Sequence, residues 1–173
     1  MAKDDYQFGC LMLDLSIAGW DALTGFIPEA DLYQPGNPMY GRQAAPHCTV
    51  LYGFHHAPGL GEELLASLPV DRPRLSAGGV IATGCGIFEN VNYDVVKLNL
   101  KSVELDRLNR WCKEHYAFTS SFPDYHPHAT LAYVKPGKGA AYATSQLLRA
   151  ELRPISWSYS ASGSRGNNLV QPI

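Results

Sequence analysis

The chain has 173 residues, 46% of them hydrophobic and 17% charged, and a formal net charge of −2. That length allows a single domain spanning residues 1–173 with a sizeable core. The near-neutral charge excludes a broad basic surface for long DNA or RNA, though not a small phosphorylated ligand, which needs only a local positive spot. Cys10, Cys48, Cys85 and Cys112 form no C-x-x-C pair, so zinc-ribbon and thioredoxin patterns are absent and reduced thiols in a cytoplasmic protein are expected. The acidic start MAKDD fits no signal peptide, and the apolar run after it is too short to span a membrane.

In chain order, Phe8 to Ile17 (FGCLMLDLSI) reads as a strand. Gly19 to Ile27 spaces Trp20, Leu23 and Ile27 helically before Pro28. Asp31 to Pro46, rich in proline and glycine, is expected as a loop of lid length. His47 to Phe54 is a strand and Leu60 to Leu68 a short amphipathic helix. Gly79 to Glu89 and Tyr93 to Leu100 form a hairpin about Asn90-Val91-Asn92. Ser102 to Tyr116 is the clearest helix: Ser102 is the N-cap, Glu104 and Asp106 sit in the first turn, and Leu105, Leu108 and Trp111/Cys112 make one stripe. A loop from Thr119 to Pro127 leads into a buried strand, His128 to Val134. A helix over Ala141 to Leu152 and strands at Ile155 to Ala161 and Leu169 to Gln171 complete the order, which resembles one unit used twice in succession.

One heptad occurs twice. Pro46-His47-Cys48-Thr49-Val50-Leu51-Tyr52 matches Pro127-His128-Ala129-Thr130-Leu131-Ala132-Tyr133 in proline, histidine, threonine and tyrosine, about half a chain apart. One H-x-T match is within chance; two sharing both flanks are not. Strand alternation puts His47 with Thr49, and His128 with Thr130, on one face. Side by side, such strands oppose two imidazoles to two hydroxyls. One neutral histidine then takes a proton from a nucleophile and a charged one returns a proton to a leaving oxygen, while the hydroxyls donate to phosphoryl oxygens. This is the equipment of phosphodiester cleavage, and it needs no metal. Tyr52 and Tyr133, three residues after the threonines, are expected on the opposite face as core.

The paired motifs PHCTVL and PHATLA resemble those of the 2H phosphoesterase superfamily. DLYQPG…YG before APHCTVLYGFH, NVNYDVVKLNL and DYHPHATLAYVKPGKG are further similar to the bacteriophage anti-CBASS phosphodiesterases, which destroy cyclic di- and trinucleotide signals of bacterial immunity. The resemblance implies an α+β bilobal fold: two pseudo-symmetric lobes, each with one H-x-T motif, mainly antiparallel sheets lining a central cleft, and helices outside. It implies catalysis by His47, Thr49, His128 and Thr130 without cofactor on a small cyclic nucleotide, with no long nucleic acid and no membrane as partner. Which histidine is the base, and whether water or a ribose 2′-hydroxyl attacks, stay open.

Other residues invite roles. Tyr40, Arg42, Tyr125, His126 and Lys135 are candidate substrate contacts beside the motifs, with Lys138 a further cation; Tyr6, Trp20 and Phe88 are possible stacking rings. His126-Pro127-His128 has a spacing seen in zinc hydrolases, the rival enzyme class. His55 and His56 are expected as solvated loop residues and His115 as a structural one. A binding protein that sequesters a nucleotide without cutting it is the non-enzyme alternative.

Overall fold

In the computed structural model, residues 7–70, 75, 78–144, 151–161 and 168–173 are described. The first strand, β1 (Phe8–Ile17), alternates: Leu11, Leu13, Leu15 and Ile17 are buried, while Cys10, Met12 and Asp14 are half-buried on the other face. It belongs to one seven-stranded sheet with β2 (His47–His55), β3 (Ile81–Glu89), β4 (Asp94–Lys101), β5 (His128–Val134), β6 (Leu152–Ala161) and β7 (Leu169–Pro172). The order is β3-β4-β5-β2-β1-β6-β7, antiparallel at every pairing. Helices α2 (Leu60–Ser67) and α3 (Val103–His115) add Leu64, Leu65, Leu105, Leu108 and Cys112 to the core on the apolar face. The fold is thus α+β with helices outside. Ser102 caps α3 as expected, accepting from the Leu105 N–H at 3.2 Å. Among the described residues no helix is long and apolar enough to cross a membrane.

One expectation about the chain's order needs correction. The sheet halves are not consecutive: β3, β4 and β5 are contiguous in sequence, whereas β1 and β2 are completed by β6 and β7 from the other end. The reason is pairing, since β6 covers the free edge of β1 along Gly9 to Ile17. Around Ala141 to Leu152, Gly139–Tyr142 is a 3-10 turn and Leu152 already opens β6; residues 145–150 of that expected helix lie outside the described residues.

The two halves meet at a single register pair, Cys48 with Ala129. Beyond it β2 and β5 diverge, and each free edge is taken by the segment preceding the other motif. Leu32 and Arg42 bridge to Val134 and Ala132 of β5, and Phe118 bridges to Phe54 of β2. The Asp31 to Pro46 segment is therefore not a free lid: the Tyr33 N–H donates to the Tyr133 carbonyl at 2.9 Å, and the Tyr133 N–H to the Gly41 carbonyl at 2.9 Å. On β2, the Thr119 N–H donates to the Gly53 carbonyl at 2.9 Å. Gly53 stands at φ +102°, and a Cβ there would lie 2.0 Å from the Thr119 carbonyl oxygen, so only glycine lets the segments close.

Each H-x-T strand carries one extra residue just after its threonine. Leu11 pairs with Leu51 and Met12 with Thr49, leaving Val50 over. Val96 pairs with Ala132 and Lys97 with Thr130, leaving Leu131 over. Such bulges cost a ladder hydrogen bond unless the freed groups find partners. Here the buried Asn109 amide of α3 donates to the Val50 carbonyl at 2.7 Å, and the Gln43 N–H to the Leu131 carbonyl at 2.9 Å. Asn109→Leu is expected to lower stability by about 1–3 kcal/mol by leaving that carbonyl buried and unpaired; thermal melts would show a drop of about 2–4 °C per kcal/mol.

Candidate active site

The bulges decide which side chains share a face. Along β1, Asp14, Met12, Cys10 and Phe8 alternate on the polar side, and their partners are His47, Thr49, Tyr52 and His55. Along β4, Asn99, Lys97 and Val95 do the same for His128, Thr130 and Tyr133. Cys48 and Ala129, the residues between, are fully buried on the opposite side. Both H-x-T pairs therefore sit on one face, and the antiparallel sense about Cys48 and Ala129 sets Thr49 toward His128 and Thr130 toward His47. The prolines anchor both strand starts alike: the Pro46 carbonyl accepts from the Leu15 N–H at 3.0 Å and the Pro127 carbonyl from the Leu100 N–H at 2.9 Å. Tyr52 and Tyr133, expected in the core, are corrected by the same register: one extra residue turns each onto the histidine face.

Within this symmetric frame the two histidines have different surroundings. His47 faces Asp14, whose carboxylate accepts from Ser156 at 2.7 Å and Ser158 at 3.0 Å. His128 meets the ring of Phe88 edge-on, centroids 5.0 Å apart. Lys97 Nζ lies 4.3 Å above that ring and also bonds Asn99 Oδ1. Gly86 leaves the room: a Cβ there would be 2.9 Å from the Asn99 amide and 3.2 Å from Lys97 Nζ. Lys97 is 7% exposed, and the ion pairs among the described residues, Arg107–Glu104, Lys138–Asp31 and Arg153–Glu151, do not reach it. A buried cation without a carboxylate is costly.

His128 Nδ1 is 2.7 Å from the His126 carbonyl oxygen. A carbonyl only accepts, so Nδ1 carries the proton and Nε2 is the nitrogen left for chemistry. Burial lowers the His128 pKa below the usual imidazole range; the His126 hydrogen bond opposes this, and Lys97, His47 and His126 push the same way as burial. The neutral ring is favoured. Burial also raises the thiols of Cys10 and Cys48, each to about 11, so both remain protonated neighbours of the site.

No family model matches the sequence, and neither does any curated protein. Solved structures do. Usb1 of Kluyveromyces marxianus aligns with a TM-score of 0.56 at 9% identity over 96% of this chain and 98% of its own. E. coli LigT aligns in its complexes with ATP and with 3′-AMP, each with a TM-score of 0.53 over 98% of this chain and 96% of its own, at 16% and 17% identity. Both neighbours are members of the 2H phosphoesterase superfamily. The chain has the 2H phosphoesterase fold.

Around the central face of this 2H fold, several expected ligand contacts turn out to have structural employment. Arg42 donates to the Thr24 and Ile27 carbonyls at 3.1 and 2.6 Å, closing off α1 (Trp20–Gly25), which is shorter than the expected helix. Lys135 donates to the Ala30 carbonyl at 2.6 Å, and Lys138 pairs with Asp31 at 3.6 Å. Tyr125 packs against the core and donates to the Thr49 carbonyl at 3.0 Å, bracing the motif backbone. His126 holds His128 through its carbonyl, while its own ring is exposed. Tyr40 joins a group of rings with Tyr33, Tyr93 and Tyr133, at centroid distances of 5.0 to 5.4 Å.

Trp20 is buried, with its indole N–H on the Gln43 carbonyl at 2.9 Å, and Tyr6 lies outside the described residues. His55 is corrected from loop to strand: its Nε2 shares a 2.8 Å hydrogen bond with Thr119, and His56 turns the other way to Tyr159 at 2.9 Å. His115 donates to the Trp111 carbonyl at 2.8 Å, as a structural residue should. Among the described residues no three His, Cys, Asp or Glu side chains converge as metal ligands. Lys97 is a residue of this face that sequence reasoning did not single out. Its signal was present, a lone cation in the apolar run NYDVVKLNL at the alternation of Asn99.

Proposed function

We propose that the chain is a phosphodiesterase that opens 3′,5′-linked cyclic di- and trinucleotides, of the kind used as bacterial immune signals, and so serves a bacteriophage in immune evasion within the host cytoplasm. The observation that carries this reading is the mirrored pair of H-x-T strands meeting at Cys48 and Ala129 with both imidazoles and both hydroxyls on one face. Lys97 adds support, because it is buried, pairs with no carboxylate among the described residues, and would gain a charged partner in a phosphate.

The surroundings favour one division of roles. His128, held neutral with Nε2 free, takes the proton from the attacking oxygen, a ribose 2′-hydroxyl or water. That oxygen bonds to phosphorus, the bond to the 5′-oxygen breaks, and His47 gives a proton to the departing oxygen. Thr49, Thr130 and Lys97 take the charge that builds on the non-bridging oxygens. No step calls for a metal.

Incubation with cyclic di- and trinucleotides beside 2′,3′-cyclic mononucleotides tests the substrate class: cleavage of the former as the better substrates is expected. A second reading, cleavage of a 2′,3′-cyclic phosphate at an RNA end, is favoured by the solved neighbour whose ligand is 3′-AMP, and preferential turnover of 2′,3′-cyclic phosphates would establish it. Tight binding of every cyclic nucleotide with no product would instead establish sequestration.

The depressed His128 pKa sets the acid side of the pH profile. The base works when unprotonated, so the acid-side fall in rate is centred below 6.5, the ordinary imidazole value. Folded-state stability follows the same sign: the unfolded chain binds the proton more readily, so stability is present above about pH 6.5 and is lost as pH falls through the folded pKa. Rate and urea-melt profiles between pH 4 and pH 8 check both.

A further inference from the structure

The tyrosines that close the two repeats have a place the catalytic scheme leaves unused. Both are turned onto the histidine face by a bulge, and both bulges are held by dedicated hydrogen bonds, Asn109 to Val50 and Gln43 to Leu131. Allowing for the bulge, each tyrosine stands two strand steps beyond its threonine, roughly 7 Å along the strand. That is the order of the span between a phosphate and the base of its own nucleotide.

The two lie at opposite ends of the site, because β2 and β5 run antiparallel away from their single meeting point. Each has ring company. Tyr52 is 52% exposed, with Phe8 at 6.1 Å and Phe8 in turn 6.5 Å from His55. Tyr133 is half-buried in a wall with Tyr40 at 5.3 Å and Tyr93 at 5.4 Å. Core packing does not explain Tyr52, since more than half of its surface meets solvent, and its counterpart occupies the same position in the pseudo-twofold frame.

We infer that Tyr52 and Tyr133 carry two base-stacking subsites, one on each side of the phosphate site, so that the preferred substrate bears a nucleobase on both sides of the scissile phosphate. The ligand class is then an internal phosphodiester of an oligonucleotide rather than a mononucleotide cyclic phosphate. This rests on the phosphodiesterase reading for the central phosphate, but base stacking is measurable without turnover.

The experiment therefore reads binding. Wild type, Tyr52→Leu and Tyr133→Leu are titrated with a 3′,5′-linked dinucleotide of 2-aminopurine and adenine, with its positional isomer, and with versions abasic at one position. In wild type, both isomers are quenched and each abasic version binds about 10-fold or more weakly, as expected for one lost stacking contact. Each tyrosine variant should bind the intact dinucleotide about 10-fold more weakly and become indifferent to the base at one position only, a different one for each variant. Loss of folding would weaken all ligands alike; Tyr40→Ser, in the segment beside Tyr133, supplies a second variant with the same expected side preference.

Equal binding of intact and abasic ligands by wild type overturns the inference, as does retention by both tyrosine variants of the wild-type base preference. The two proposals fail separately. Quenching and base preference without cleavage would defeat the phosphodiesterase reading alone, and cleavage indifferent to the flanking bases would defeat the stacking subsites alone.

Discussion

Replacing either His47 or His128 with alanine is expected to lower kcat on a cyclic dinucleotide by about 100-fold or more. KM should change far less, because the threonines and Lys97 still hold the phosphate. The two variants should differ in their pH dependence. His128→Ala removes the base, so the fall in rate on the acid side of the profile disappears from the residual activity. His47→Ala keeps an acid limb set by His128, moved upward toward 6.5 because His47 is one of the charges holding that pKa down. Rates and profiles for both variants check this, and an unchanged rate in either would contradict the assignment of the pair.

Lys97→Met should trade activity for stability. The methionine fills nearly the same space over Phe88 and beside Asn99 without placing a charge at a position 7% exposed. A gain of about 1 kcal/mol in unfolding free energy is expected, read as a Tm raised by about 2–4 °C. The lost charge-assisted contact to phosphate should cost kcat/KM about 10- to 100-fold, or roughly 1.5–3 kcal/mol. Because Lys97 is one of the charges holding the His128 pKa down, its removal also moves the acid limb of the profile upward toward 6.5. A variant that is both less stable and fully active would show that Lys97 serves the fold rather than the site.

The elements were legible where one period dominates. β1 alternates without interruption, and the stripe of Leu105, Leu108 and Cys112 with its Ser102 cap reads directly as a helix. The placement of His47, Thr49, His128 and Thr130 on one face also follows from period two, since no bulge lies within H-x-T. Just past the threonines that reasoning broke down. A bulge resets the alternation, and its only trace in the sequence is two consecutive aliphatic residues, Val50-Leu51 and Leu131-Ala132, where a half-buried strand should show one.

The fates of Arg42 and Lys135 were hidden for a different reason. Both donate to carbonyls distant in sequence, at Thr24, Ile27 and Ala30, and nothing local marks a cation as needed by a helix end rather than by a ligand. The order of the sheet was hidden likewise, because which strand covers the free edge of β1 is a long-range choice. Lys97 stood out only once β4 was known to pair with β5.

Cleavage in excess EDTA, with wild type and the H47A/H128A double variant assayed side by side on a 3′,5′-linked cyclic dinucleotide, separates the histidine mechanism from its rivals. Linear product from wild type at an undiminished rate in EDTA, with none above background from the double variant, is the expected result. Product that needs an added divalent ion, or that the double variant forms as fast as wild type, would contradict catalysis by His47 and His128.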